Sequence, residues 1–431
     1  MVIPTLTNPA QTTWAISALA AAGVIVRPWR LPEFVWALAA AVILVVAGLL
    51  PVHAALAGVA KGTDVYLFLT GMMLLAELAR KEGLFDWLAA KAAIHARGSA
   101  TRLFLLVYLV GTLVTVFLSN DATAVVLTPA VAAVARAVCA EKPLPYLLIC
   151  AFIANAASFV LPISNPANLV IYGSQMPSLL AWLPRFAAPS VLSILATYVM
   201  LRWTQRSALR QRIVDRVPVP ALSGGGKAAA AAIIATALLL MTASTLDWQL
   251  GLPACLAGMV TAAIVLLRRR ESPVELVRNI AWGVLPLVAG LFVLVEAMER
   301  TGLIEMLAHL LRNAAGGAEV LVSWSAGIVL ALTCNLMNNL PAGLIAGTAV
   351  QAAHLPPTVN GAVLIGIDLG PNLSVTGSLA TILWLSALRR EGLRVGAGAF
   401  LKLGLLVMPP ALLLALLGLF LPELIHGGMR F

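Results

Sequence analysis

The chain is built of long apolar runs joined by short polar segments, at roughly 12–26, 34–51, 64–79, 101–118, 122–140, 145–161, 186–203, 228–246, 252–267, 281–298, 319–337, 341–353, 359–388 and 398–421. About 20 apolar residues in helical form cross the hydrocarbon of a bilayer, so most of these runs are of span length. Apolar and polar residues do not alternate along them, which points to helices and not to an outer-membrane barrel. With 61% hydrophobic and 11% charged residues, against about 25% charged in soluble chains, a soluble class is excluded. The expected fold is an all-α polytopic membrane protein with about 10 full spans.

The net charge of +10 does not mark a nucleic-acid binder, because the basic residues sit in the joints, where they set topology. Cys139, Cys150, Cys255 and Cys334 lie in apolar segments without paired spacing and imply neither a disulfide framework nor a metal site. No basic residue precedes Arg27, so the first run reads as a retained span and not as a cleaved signal. One basic, Pro- and Gly-containing linker at 204–227 divides the chain near its midpoint.

The two parts are related. Residues 71–89 and 290–308 share seven identities in nineteen positions, Glu77 with Glu296 and Gly83 with Gly302 among them, and the same offset of 219 carries Asn120 onto Asn339. The expected organisation is an N-terminal repeat (1–203) with a hairpin at 101–140 and a broken helix at 145–175. The linker 204–227 follows, then a C-terminal repeat (228–431) with a hairpin at 319–353 and a broken helix at 359–388. With both termini outside, 23 of the 28 Lys and Arg residues fall on the cytoplasmic side together with the linker, and the repeats run in opposite senses across an inner or plasma membrane.

Polar clusters interrupt the apolar core, where each costs several kcal/mol unless paired or wetted. SNDAT (119–123) and the CNLMNN run (334–339) are either surface turns between full spans, since 18 residues rise about 27 Å, or the tips of re-entrant hairpins. LPISNPAN (161–168) and GIDLGPN (366–372) are either packing kinks or helix breaks that put amides around a substrate near the midplane. Asn155 and Ser158, three apart, share a helix face. Glu77 and Glu296 have Arg80 and Arg300 nearby, and an ion pair is the favoured reading of each. Gly71 and Gly290 read as contacts between fixed and moving parts. Buried packing is the favoured role of the cysteines, with Cys334 close to one tip.

Taken in order, SNDATAVVLTPA, SNPANLVIYG, NNLPAGLIAGT and DLGPNLSVTGSLATILWL resemble the signature segments of the ArsB-type arsenical pump membrane proteins, the arsenite and antimonite efflux permeases of the ion transporter superfamily. The likeness runs from about residue 60 to 420. It implies scaffold spans around two hairpins and two broken helices, export of trivalent arsenic or antimony against protons, and in some members a soluble arsenite-stimulated ATPase partner. No GxxxxGK[ST] occurs in this chain, so it is read as a transporter without cofactor, driven by the proton motive force and not by its own ATPase. Carboxylate carriers of the superfamily have Ser-Asn-Thr at both tips. Here Asp121 replaces the first Thr and the second tip reads Asn338, Asn339, Leu340.

The expected substrate ligands are Ser119, Asn120, Asn155, Ser158, Asn165, Asn168, Asn338, Asn339, Asn372 and Thr376. These clusters hold no Lys or Arg, and amides with hydroxyls suit an uncharged trihydroxide that both donates and accepts. A proton needs a carboxylate carrier, for which Asp121 and Asp368 stand out. The alternative is a sodium/proton antiporter of the same superfamily.

Overall fold

The structure, a computed structural model, describes residues 8–215, 220–315 and 318–425. The ends of the chain, expected outside the membrane, and part of the 204–227 linker lie beyond the described residues. Among the described residues the regular elements are helical, with a single isolated bridge between Ser99 and Arg212.

Up to the linker the helices are α1 (Pro9–Val26), α2 (Glu33–Val46), α3 (Val52–Lys61), α4 (Thr63–Lys81), α5 (Leu84–Ala96), α6 (Ala100–Phe117) and α7 (Asn120–Ala122). A π-helical turn (Thr123–Leu127) leads into α8 (Thr128–Ala137), followed by α9 (Leu144–Ala156), α10 (Pro166–Tyr172) and α11 (Leu179–Thr204). Beyond it come α12 (Gly224–Thr245), α13 (Gly251–Arg269), α14 (Pro273–Asn279), α15 (Val284–Arg300), α16 (Leu303–Ala315), α17 (Glu319–Met337), α18 (Asn339–Ala353), α19 (Pro357–Leu369), α20 (Leu379–Arg390) and α21 (Ala397–Ile425). Among the described residues seven helices are long and apolar enough to cross a membrane, or nine when two bent pairs count as single spans. Those pairs, α3 with α4 and α14 with α15, both bend by 46°.

The order of elements recurs after the linker, down to the left-handed glycines Gly83 (φ +74°) and Gly302 (φ +79°) that turn α4 into α5 and α15 into α16. Each occupies a backbone region costly for a residue with a Cβ. Packing crosses between the two series: α4 lies on α13, α15 on α2, α10 on α18, α20 on the π turn and α8, and α11 on α21. Apolar side chains that remain exposed, such as Leu109, Leu113, Val191 and Leu195, lie on the faces a bilayer would cover.

Close backbone approach explains two glycines differently from their sequence reading as contacts between fixed and moving parts. A Cβ at Gly71 would strike the Ala254 carbonyl on α13, and one at Gly290 would lie 2.8 Å from Cβ of Ala37 on α2. Both therefore lock helix pairs (α4 with α13, α15 with α2).

At the basic end, Glu82 is held by Arg269 (2.8 Å) and by the Ser223 hydroxyl (2.9 Å), while Lys81 pairs with Glu271 (2.7 Å) and Glu275 (3.3 Å). The Lys81 ammonium beside Glu271 holds its carboxyl below the usual range. Gly225 leaves room here for the Glu82 carboxylate, which a Cβ would displace.

Gly71→Val is expected to destabilise the protein by about 1–3 kcal/mol through overpacking against α13, read as a lower midpoint of thermal unfolding in detergent. Gly398→Ala, which meets nothing within 4 Å, should leave the midpoint unchanged.

Candidate functional site

The two hairpins, α6 with α7, the π turn and α8, and α17 with α18, turn inside the protein. At the first tip Ser119 caps the new helix, its hydroxyl accepting from Ala122 N (3.2 Å), and Asn120 Oδ1 accepts from Asp121 N (2.9 Å). At the second, Asn338 takes φ +73° and its side chain accepts from Leu340 N (3.3 Å), while Asn339 N donates to Gly377 O (2.8 Å). Asn120 and Asn339 are each 3% exposed, and together with Asp121, Asn165 and Ser378 they line one cavity. Surface turns would have left these two residues in bulk solvent at separate places.

The helix breaks meet behind this cavity. Asn165 caps α10, its Oδ1 accepting from Ala167 N (3.0 Å), and its Nδ2 donates to Asp368 Oδ1 (2.8 Å) at the end of α19. The Ser158 hydroxyl lies 2.6 Å from Asp368 Oδ2 and 2.7 Å from Asn155 O. Asn155 Nδ2 donates to Asn372 Oδ1 (3.0 Å), Asn372 Nδ2 to Phe152 O (3.0 Å), and Ser378 Oγ to Asn155 Oδ1 (3.4 Å). Every one of these residues is buried, and their bonds join the chain before the linker to the chain after it.

The expected ligands thus divide into groups. Asn120, Asn165 and Asn339 reach the cavity with Asp121, and Ser119 lines an adjoining one. Asn155, Ser158, Asn372 and Asp368 form the layer behind, so Asp368, fully buried, meets the cavity only through Asn165. Asn168, Asn338 and Thr376 are engaged with backbone. Asn168 Nδ2 donates to Ser158 O (2.9 Å) and, at 3.3 Å each, to Leu161 O and Pro162 O, and the Thr376 hydroxyl donates to Asn335 O (2.9 Å).

Two residues outside the expected set matter. Ser378, the N-cap of α20, faces the cavity. Asn335 holds the second break, its Nδ2 donating to Gly370 O (3.0 Å) and its Oδ1 accepting from the Ser374 hydroxyl (2.7 Å). Hydroxyl and amide groups beside a Gly and Pro break were the available signal for both.

The cavity at the tips encloses about 10 Å³, room for about one water. The adjoining cavity encloses about 90 Å³ between α4, the first hairpin and the bend before α15, and Asp121 borders both. Asp121 and Glu77 are the ionisable side chains along the two cavities, and neither cavity is bordered by Lys, Arg or His. Among the described residues no cluster of His, Cys, Asp and Glu suits a metal ion. Cys334 is buried, its thiol donating to Ala331 O at 3.3 Å. Cys139, expected in an apolar segment, is instead exposed at the turn after α8.

A bundle of membrane-crossing helices whose two inner hairpins meet at buried amides is the architecture of a multi-pass membrane transporter. The chain belongs to the citrate transporter family (CitMHS), whose pattern residues 21–369 match. It is 25% identical over 359 residues to the arsenical pump membrane protein of Escherichia coli, covering 81% of this chain and 84% of that one, and equally so to that of Yersinia enterocolitica. In fold it is similar to the YdaH transporter of Alcanivorax borkumensis, whose crystal structure reveals an unusual topology: the TM-score is 0.56 at 16% identity, covering 86% of this chain and 88% of that one. The protein is therefore an ion transporter of this family and not an enzyme.

Asn168→Ala removes the amide that donates to the Ser158, Leu161 and Pro162 carbonyls at the first break. A loss of about 1–3 kcal/mol is expected, visible as a reduced thermal midpoint in detergent. Asn120→Ala, which faces the cavity, should change the midpoint far less.

Proposed function

We propose that the protein exports arsenite or antimonite, as the uncharged trihydroxide, from the cytoplasm in exchange for protons. The observation that carries this reading is unused hydrogen-bonding capacity in one buried place. Among the described residues nothing pairs with the Asn339 carboxamide, the Asn120 amide nitrogen or the Asp121 carboxylate, and all three residues line the cavity at the tips. Groups of this kind are rarely left idle when buried. A ligand with three hydroxyls both donates to the amide oxygens and carboxylate and accepts from the amide nitrogens.

Charge supports the same choice over a carboxylate substrate. A citrate-like anion would meet Asp121 with no Lys or Arg bordering the cavity, whereas a neutral solute carries no such penalty. The names of the similar proteins, arsenical pump membrane proteins, agree with this reading.

Asp121 is the proton carrier in this mechanism. A proton from outside neutralises it, and arsenite arriving from the cytoplasm accompanies its release. Asp368 takes the second role through hydrogen accounting. Ser158 has one hydroxyl hydrogen for two acceptors, Asn155 O and Asp368 Oδ2. A proton on Asp368 lets the carboxyl donate to Ser158 while Ser158 donates to Asn155 O, and its loss breaks one of those bonds. The binding groups on the two breaks are thereby tied to a protonation event. Because the cavity encloses about 10 Å³, the hairpins must part to admit substrate, moving against the bent spans with the basic face turned to the cytoplasm.

In everted membrane vesicles, arsenite should accumulate on an imposed proton gradient and be lost with a proton ionophore. Asp121→Asn should reduce that accumulation at least tenfold. Gradient-proportional uptake by the variant would remove Asp121 from this role, and sodium-induced proton release without arsenite uptake would favour a sodium/proton antiporter.

A further inference from the structure

Glu77 and Glu296 occupy equivalent positions, yet their surroundings differ. Glu296 binds two cations, Lys61 (2.7 Å) and Arg300 (2.9 Å), and borders neither cavity at the first hairpin. Glu77 binds one, Arg80 on its own helix (2.5 Å), whose side chain is 44% exposed, and it borders the 90 Å³ cavity that Asp121 also borders. One cavity therefore has a carboxylate at the transport site and a carboxylate beside the basic face, and on the measure by which the smaller cavity holds about one water it has room for several.

We propose that this cavity is the route by which the coupled proton leaves for the cytoplasmic face, with Glu77 as the relay carboxylate and Arg80 as its gate. The inference rests on the reading of Asp121 as proton carrier. In the step, the O–H bond of protonated Asp121 breaks and the proton passes along cavity water to a carboxylate oxygen of Glu77. Neutral Glu77 loses its ion pair with Arg80, whose exposed guanidinium swings to solvent. Glu77 then gives the proton to bulk water and recaptures Arg80, so Glu77 and Arg80 end as they began and Asp121 is left ionised.

The remaining charges brought to this end by the elements packed on α4 are largely engaged with one another. Lys81 is held by Glu271 and Glu275, and Arg269 by Glu82 and Glu271. Asp86 on α5 and Glu275 on α14 act on Arg80 as well as Glu77 does. Lys227 opens α12, Arg268 and Arg278 flank the α13–α14 corner, and α10 and the π turn bring no charge. Lys61 and Asp64 sit at the other end of the bent span, and Glu296, Glu299 and Arg300 end α15. Arg80 is thus the cation whose departure Glu77 controls.

The test measures two activities of the full-length protein in everted vesicles: accumulation of arsenite on a proton gradient, across a range of bath pH, and exchange of internal for external arsenite with no gradient. Glu77→Gln is expected to slow accumulation at least tenfold and flatten its dependence on bath pH, while slowing exchange less than threefold. Glu77→Asp should restore most of the accumulation. Unchanged accumulation in Glu77→Gln overturns the relay. An equal fall of both activities without rescue by Asp also overturns it, since that is the signature of a structural ion pair. Wild-type protein that neither exchanges nor accumulates arsenite would instead refute the transport reading beneath it.

Discussion

Hydrocarbon offers no partner to a backbone N–H or C=O, so a membrane chain can leave the helix only where protein supplies the missing bonds. That requirement shapes this molecule at four places, the two hairpin tips and the two breaks that follow α9 and α19. The side chains that satisfy it are those of the polar clusters: Asn168 gathers three carbonyls, Asn335 and Thr376 fasten the second break, and Ser119, Asn165, Asn338 and Ser378 cap the helices that restart. Amides are therefore needed here for folding before any is needed for a ligand. What distinguishes a binding residue is the capacity left over once the backbone has been served.

The same requirement ties the two series of helices together. Asp368 belongs to α19 but takes its bonds from Ser158 and Asn165, and Asn372 exchanges bonds with Asn155 and Phe152. Neither break is complete without the other. A change at one carboxyl is consequently felt across the whole layer behind the cavity, because buried networks with every member engaged have few intermediate arrangements. Long apolar helices such as α11 and α21 pack on each other beside this layer.

Much of this was legible in sequence, for identifiable reasons. Asn beside Pro or Gly inside apolar runs has few explanations, and the tips at 119–121 and 338–340 and both breaks fall where those residues indicated. Four short helices carry no such signal. Only Gly62 separates α3 from α4, and α14 opens at Pro273 after a basic run, so both merged with joints. α5 and α16 carry Lys91 and His95, or Glu305, His309 and Arg312, and so lack the uniform apolarity of a span. The roles of individual amides were harder still. Asn120, whose amide nitrogen stays free, and Asn168, whose amide nitrogen is spent on carbonyls, look alike in sequence, because the difference lies in which backbone groups each side chain meets after folding.

The likeness of the two series in sequence also bears on the role proposed for Asp121. Two identical halves would present a solute with equivalent surroundings from either face, and nothing in such a site would link its filling to a second ion. Here position 121 is Asp while its counterpart 340 is Leu, and Glu77 has one cation where Glu296 has two. The departures from symmetry lie along a single line, from the tip of the first hairpin to the basic end of α4. An exchanger needs a group whose charge differs between its two loaded states, since a ligand shifts an equilibrium only by its differential affinity. Under the proposed exchange that difference falls to Asp121 in the first half, while the second contributes Asn339 to the cavity and, in Asp368, the buried carboxyl that takes its bonds from the first break.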